Sequence, residues 1–100
     1  IFEKRAAMEN LKEIINRSDA VIIDVRTPEE FESGHVENSI NIPLDKVPDS
    51  LERFRNLKGP VVLCCRSGQR SEQALKWLRE QGVGNLYNGG GYTDVLIHRI

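Results

Sequence analysis

The sequence is short of cysteine, of net charge and of long hydrophobic runs. Its two cysteines, Cys64 and Cys65, are adjacent, so a disulfide between them cannot link distant parts of a fold. With only His35 and His98 to help, this adjacent pair is not expected to supply a four-ligand zinc site. The 14 basic and 15 acidic residues give a formal net charge of −1, which provides no field for holding nucleic acid. We therefore expect no disulfide framework, no metal site and no nucleic-acid partner.

The longest uninterrupted apolar run, 61–65, is far shorter than the ~20 residues of a membrane helix, so we expect no membrane span. A length of 100 residues with 39% hydrophobic residues suits one compact domain over 1–100, without a repeat or a linker. The sequence has no secretory hydrophobic segment, and we expect a cytoplasmic protein. Because residue 1 is Ile and not Met, a periplasmic location stays open if a signal peptide was removed.

Predicted strands and helices alternate along the chain. Hydrophobic spacing predicts strands over 20–25, 40–42, 61–64 and 86–87, and helices over 5–16, 47–54, 70–81 and from Tyr92 onward. A further short helix begins at a capping box, Thr27-Pro28-Glu29-Glu30, and ends at Gly34. This order predicts an α/β fold with a mostly parallel sheet covered by helices on both faces. Ligands bind such sheets beyond the carboxyl ends of the strands.

The small net charge conceals an uneven distribution. Segment 24–37 has a local charge of −4, whereas segment 53–71 has no acid, a local charge of +5 and both cysteines. The five cations are Arg53, Arg55, Lys58, Arg66 and Arg70. A run of like charge is ordinarily a solvated face, but here it surrounds thiols.

The segment 65–71, Cys-Arg-Ser-Gly-Gln-Arg-Ser, leads from a predicted strand into a helix N-terminus. Free backbone N–H groups at such a position bind anions, and the helix dipole stabilises a thiolate. Gly68 permits a tight turn, while Arg66 and Arg70 are expected to lower the pKa of the Cys65 thiol and to attract an anionic substrate. The alternative is a buried cysteine followed by an ordinary turn.

Cys64 has a different expected role. Successive strand residues face opposite sides of a sheet, and both sides are predicted to be covered by helices. Cys64 is therefore expected to be a small core residue. The alternative, a resolving thiol that attacks oxidised Cys65, requires a strained ring between neighbours.

Three ordered motifs, spanning about 20–95, resemble the rhodanese-like domains, in the single-domain thiosulfate sulfurtransferase and phage-shock-protein-E-like group. The loop 65–71 after Val-Val-Leu resembles the active loop of that family. Residues 21–31, 34–36 and 40–43 are similar to its N-terminal signature, and 85–91 to its C-terminal one. A Trp that often follows the glycine pair is replaced at about that position by Val95, and the first strand is reduced to Ile1-Phe2.

The resemblance implies a rhodanese-like fold of about five strands and sulfur transfer without a cofactor. Cys65 would carry the sulfur in a loop that closes at Arg70. The donor would be thiosulfate or a similar small anion, and the acceptor a thiol, cyanide or a thioredoxin-like protein. The residues expected to bind the donor are Arg66, Ser67, Gly68, Gln69 and Arg70.

Other residues near the loop are expected to support it. Asp24 and Arg26 are expected to pair with each other, with Glu30 or with loop amides. His35 is expected to bond a backbone carbonyl, and Ser71, like Ser67, to cap the helix or bond the sulfur. Arg70 has two open roles, orienting the donor or closing the loop by bonding carbonyls. The glycines 89–91 are expected to let the backbone approach the loop closely.

Two other function classes stay open. Counted from Cys64, the string Cys-x5-Arg-Ser fits a cysteine phosphatase or an arsenate-reductase-like enzyme of the same fold. Counted from Cys65, only four residues intervene, which makes a smaller cradle suited to sulfur. The third class is a persulfide carrier or binding module without turnover. If Cys65 is the nucleophile, we expect Cys65→Ser to abolish sulfur transfer and Cys64→Ser to keep most of it.

Overall fold

The computed structural model describes residues 11–99, which form a parallel sheet with helices on both faces. The strands are β1 (Val21–Asp24), β2 (Ile40–Asn41), β3 (Val61–Cys65) and β4 (Leu86–Gly91). The helices are α1 (11–15), α2 (Pro28–Glu32), α3 (Leu51–Asn56), α4 (Gln69–Glu80) and α5 (Tyr92–His98). Two 3-10 turns, Leu44–Lys46 and Pro48–Ser50, precede α3.

The sheet of the described residues has four strands in the order β2-β1-β3-β4, all paired in parallel. The α/β prediction is confirmed. The predicted strand at Ile1-Phe2 and the start of the predicted helix 5–16 lie outside the described residues. Because β3 is central, the loop that follows it leaves from the middle of the carboxyl edge, between the ends of β1 and β4.

The core lies on both faces of the sheet, because alternate strand residues point to opposite sides. Ile23, Leu63 and Cys65 belong to the larger buried cluster, with residues of α3 and α4 such as Phe54 and Leu78. The smaller cluster is formed by Ile15, Ile22, Val36, Val62, Cys64 and Val95. All five residues of β3 are buried, as expected for a central strand. No helix in residues 11–99 is long and apolar enough to cross a membrane.

Two predicted helix ends have the expected chemistry. At the start of α2 the Thr27 hydroxyl accepts the Glu30 N–H at 3.3 Å, while the Glu30 carboxylate accepts the Thr27 N–H at 3.0 Å. This capping box is confirmed, and Gly34, directly after the Ser33 cap, has a φ of +152°. After α4, Gly82 has a φ of +85°, which favours glycine and ends the helix as predicted.

Two elements differ from the predictions. The helix predicted over 47–54 begins as a 3-10 turn, Pro48–Ser50, in which the Ser50 N–H bonds the Val47 carbonyl at 3.0 Å, and α3 begins only at Leu51. The strand predicted over 86–87 continues through Gly91. Its pairing with β3 is irregular, since Leu63 pairs with Asn88 but Cys64 pairs with Gly90. The extra residue is a bulge next to the end of β3.

Candidate active site

The site is built around Cys65, the last residue of β3. Its sulfur accepts the N–H of Gly68 at 3.0 Å and lies 3.6 Å from the hydroxyl oxygen of Ser71. Gly68 has a φ of +95°, which turns the chain sharply enough to bring its N–H back to the sulfur. Gly68 is also the N-cap of the 12-residue helix α4, so the sulfur lies at a helix N-terminus. The residue is only 1% exposed.

The surroundings of Cys65 favour its thiolate. Burial opposes the charged form, but hydrogen bonds from Ser71 and from the N–H groups of Ser67 and Gly68 outweigh it. The net effect is a pKa below the ordinary value of a cysteine. The sequence predicted that Arg66 and Arg70 would lower this pKa, whereas hydrogen bonds from the loop and from Ser71 account for the largest lowering.

Cys64 lies in an opposite environment. It is 0% exposed and packs on the other face of the sheet, in the smaller cluster. Burial, together with the nearby charge of Asp24, raises the pKa of the Cys64 thiol to about 12. The prediction that Cys64 is a core residue is confirmed, and its thiol is protonated at neutral pH.

Arg70 joins the site to α2. Its two terminal nitrogens donate to the two carboxylate oxygens of Glu30, at 2.7 and 3.0 Å. These hydrogen bonds, with that from the Thr27 N–H, lower the pKa of Glu30 to about 2. One carboxylate thus completes the capping box of α2 and holds the arginine of the loop. Arg70 bonds this carboxylate and not the predicted carbonyls, and its role in orienting the donor stays a prediction.

Asp24 and Arg26 form a buried ion pair beside the loop, with a shortest distance of 2.7 Å. Arg26 also donates to the carbonyl of Gly34 at 2.7 Å and lies 3.9 Å from the centre of the Tyr92 ring. The predicted pairing of these two residues with each other is confirmed. The pair connects the end of β1 to the segment after α2 and to the start of α5, which is a scaffold role.

The remaining predicted site residues occupy varied positions. Arg66, Ser67 and Gln69 are exposed on the loop, so their part in binding a donor stays a prediction. The prediction that Ser67 or Ser71 caps α4 is wrong, because the N-cap is Gly68, without a side-chain cap hydrogen bond, and the hydroxyl of buried Ser71 donates to the Gly68 carbonyl at 3.1 Å. His35 lies outside the site, and its Nδ1 contacts the Phe31 carbonyl at 2.7 Å, which confirms its predicted carbonyl contact. Within 11–99, no His, Cys, Asp and Glu side chains are grouped to hold a metal ion.

The glycines of β4 lie against the loop. A Cβ placed on Gly91 would be 2.5 Å from the carbonyl oxygen of Arg66, and one placed on Gly68 would be 3.3 Å from the Cα of Gly90. Neither neighbour is a flexible side-chain end. The predicted close approach of the glycine run to the loop is confirmed.

Sequence reasoning missed Asn88. Its side-chain oxygen accepts the Ser71 hydroxyl at 2.7 Å and the Gly90 N–H at 2.9 Å. Its side-chain nitrogen donates to the Gly68 carbonyl and to the Glu72 carboxylate, both at 3.1 Å. The available signal was an amide residue between a strand and a glycine run, which is commonly only a turn residue.

A model of the Rhodanese-like domain family matches residues 7–97. The chain is 36% identical to the Rhodanese domain-containing protein CG4456 of Drosophila melanogaster, covering 84% of this chain and 89% of that protein. It is 35% identical to Thiosulfate sulfurtransferase PspE of Escherichia coli, covering 78% of this chain and 76% of that protein. It is also 32% identical to the tRNA uridine(34) hydroxylase of Salmonella newport, of which it covers 24%.

Solved structures give the same result. The structure of a rhodanese with anions from E. coli has a TM-score of 0.68 and 36% identity, covering 75% of this chain and 89% of that one. A Rhodanese-like Domain Protein from Staphylococcus aureus has a TM-score of 0.70 and 29% identity, covering 89% and 82%. The three motifs, the parallel fold and the loop around Cys65 agree with these matches, and the chain belongs to the rhodanese-like domain family of sulfurtransferases.

Proposed function

We propose that this protein transfers sulfane sulfur from thiosulfate, or a similar small anionic donor, to a thiophilic acceptor through a persulfide on Cys65. The observation that carries the proposal is the position of the Cys65 sulfur. It lies at the N-terminus of α4, bound by the Gly68 N–H at 3.0 Å, and its pKa is below the ordinary value. A thiolate in a ring of N–H donors is both a nucleophile and the start of an anion site.

The first step forms the persulfide. The Cys65 thiolate attacks the outer sulfur of thiosulfate, an S–S bond forms, and the original S–S bond breaks with its electron pair leaving on sulfite. One negative charge stays on the terminal sulfur of the persulfide and two leave with sulfite, so charge balances. Backbone N–H groups of 66–70 would stabilise the charge on the terminal sulfur.

The second step returns the thiolate. Cyanide, a thiolate or a thioredoxin-like protein attacks the terminal sulfur, and the electron pair of the breaking S–S bond returns to Cys65. Exposed Arg66 would attract the dianionic donor, with Ser67, Gly68, Gln69 and Arg70 completing the loop around it. The name of the relative PspE supports thiosulfate as the donor to test first.

The phosphatase alternative depends on Cys64 as the nucleophile. The spacing to Arg70 fits from Cys64, but that thiol has a pKa of about 12 and lies on the face of the sheet opposite Cys65. Counted from Cys65, whose sulfur lies at the N-terminus of α4, four residues precede Arg70. The geometry therefore favours a sulfur cradle over a phosphate cradle.

Intact-protein mass spectrometry after incubation with thiosulfate tests the proposal. We expect a gain of one sulfur atom, mapped to Cys65 and removed by cyanide with formation of thiocyanate. Cys65→Ser is the matched negative control. An unmodified protein would favour a binding module without turnover, and hydrolysis of an aryl phosphate that depends on Cys64 would favour a phosphatase.

A further inference from the structure

The orientation of the Asn88 amide is fixed by its partners. The N–H of Gly90 can only donate and the carbonyl of Gly68 can only accept, so the amide oxygen must face Gly90 and the amide nitrogen must face Gly68. The Glu72 carboxylate, 3.1 Å from the same nitrogen, agrees with this orientation. An acceptor oxygen of Asn88 is thus held 2.7 Å from the hydroxyl of Ser71.

The Ser71 hydroxyl has one hydrogen and three acceptors within reach. They are the Asn88 side-chain oxygen at 2.7 Å, the Gly68 carbonyl at 3.1 Å and the Cys65 sulfur at 3.6 Å. The shortest contact is to Asn88, so while the sulfur is a neutral thiol the hydrogen points to Asn88 and not to the sulfur. A negatively charged acceptor binds a hydroxyl about twice as strongly as a neutral one. A sulfur that gains charge can therefore compete for the same hydrogen.

We propose that Asn88 is a positioning residue for this site, which holds the Ser71 hydroxyl hydrogen away from Cys65 and releases it when the sulfur is negatively charged. The proposal rests on the proposed function in one respect. The negatively charged sulfur that accepts the Ser71 hydrogen can be the thiolate of Cys65 or the terminal sulfur of its persulfide. It assigns the Ser71 hydroxyl as a hydrogen-bond donor to the charged sulfur, beside the N–H groups of Ser67 and Gly68, under the control of a residue on β4.

The proposal predicts in which direction loss of the Asn88 amide changes the thiolate fraction of Cys65. In Asn88→Ala the hydroxyl has two acceptors left, the Gly68 carbonyl and the sulfur. The carbonyl is neutral and already accepts the Glu72 N–H at 3.1 Å, so the thiolate is the stronger acceptor. The thiolate fraction of Cys65 should therefore rise below the titration midpoint.

Other charged and titratable groups lie on the loop and on the elements packed against it. They are Arg66 of the loop, Arg70 with Glu30, Asp24 with Arg26, Cys64 of β3 and Glu72 of α4. Of these groups, only Glu72 is bonded by the Asn88 side chain. Asn88→Ala therefore removes one hydrogen-bond donor from the Glu72 carboxylate. An effect that travels through Glu72 would persist without the Ser71 hydroxyl, whereas one that travels through Ser71 would vanish.

The test is the pH dependence of Cys65 alkylation by iodoacetamide in four proteins, each also carrying Cys64→Ala so that one thiol reacts. They are the parent, Asn88→Ala, Ser71→Ala and the double variant. We expect Asn88→Ala to alkylate about threefold faster below the midpoint, with an unchanged rate at high pH. In the Ser71→Ala background the same substitution should change nothing.

An unchanged or slower reaction of Asn88→Ala, or an equal acceleration with and without Ser71, would overturn the proposal. Asn88→Leu, which keeps the branched shape and the four heavy atoms of the asparagine side chain without its polar atoms, is the second variant if alanine prevents folding. The measurement needs no sulfur donor. A protein that forms no persulfide but shows the Ser71-dependent shift would refute the proposed function alone, and the reverse result would refute only the role of Asn88.

Discussion

The two adjacent cysteines lie one residue apart on β3, yet their thiols have opposite surroundings and opposite shifts in pKa. Cys65 faces the larger core cluster and receives N–H donors from the loop, whereas Cys64 faces the smaller cluster among apolar side chains. The pKa of the first is lowered and that of the second is raised to about 12. Only the first should act as a nucleophile.

Substitution of each cysteine separates these roles. Cys65→Ser should abolish transfer of sulfur from thiosulfate to cyanide, because an alkoxide does not form at neutral pH. Cys64→Ala should retain most of that activity and lose about 1 kcal/mol of unfolding free energy, because it leaves a small cavity in the core. Thiocyanate formation and urea unfolding measure the two effects. Loss of activity in Cys64→Ala with a normal fold would contradict the assignment.

Gly91 is a second position where a single added atom is expected to change activity and stability. An alanine Cβ would lie 2.5 Å from the Arg66 carbonyl, so Gly91→Ala should displace the loop from the sulfur. We expect sulfur transfer to fall on the order of a hundredfold and the unfolding free energy by about 1–3 kcal/mol. Gly84→Ala, with no atom within 4 Å, is the control and should change neither. Equal activity of the two variants would refute the contact.

At the scale of elements, Glu30 links α2 to α4. Its carboxyl has a folded pKa of about 2 against 4.5, so the folded state binds fewer protons between these values. The stabilisation from the ion pair is therefore complete above pH 4.5 and is lost as the pH falls toward 2. Because both side chains are partly exposed, it should be on the order of 1 kcal/mol.

Urea unfolding of the wild type and of Glu30→Gln across this pH range measures the link. The difference in unfolding free energy should be constant above pH 4.5 and shrink toward zero near pH 2. Glu29→Gln removes an exposed carboxylate from the same helix and should show a smaller difference. A difference independent of pH would mean that the carboxylate charge contributes nothing.

Elements whose signals are local could be predicted from the sequence. The capping box of α2, the buried run of β3 and the Gly82 end of α4 all depend on residues within a few positions of one another. The extent of β4 could not, because glycine has little strand propensity and Gly89 to Gly91 are held in the sheet by contacts with β3 and the loop. The Cys65 loop was predictable because its strand, turn and helix are contiguous.

Contacts between distant segments account for what the sequence did not reveal. Arg70 and Glu30 are 40 positions apart, and Asn88 and Ser71 are 17 apart. Each residue had a plausible local role, as loop cation, cap or turn residue. Only the strand order places their partners at one edge of the sheet.

For the whole molecule, local charge matters more than net charge. Arg66→Gln and Arg53→Gln each remove one cation from the same positive segment, and both arginines are exposed. If the loop alone attracts the donor, Arg66→Gln should raise the KM for thiosulfate about three- to tenfold with little change in kcat, and Arg53→Gln should not. The difference should shrink at high salt. Equal changes in KM would indicate that the electrostatic potential of the whole positive segment, and not the loop alone, attracts the donor.

The burial of Cys65 under its loop bears on how oxidants reach the thiolate. Exposed thiolates are oxidised to sulfenic acid and then irreversibly to sulfinic and sulfonic acids. At 1% exposure, Cys65 is covered in the resting loop, and the groups that cover it include N–H donors that favour its charged form. Cover and activation come from the same loop, so an oxidant and a sulfur donor must both pass this loop to reach the activated sulfur.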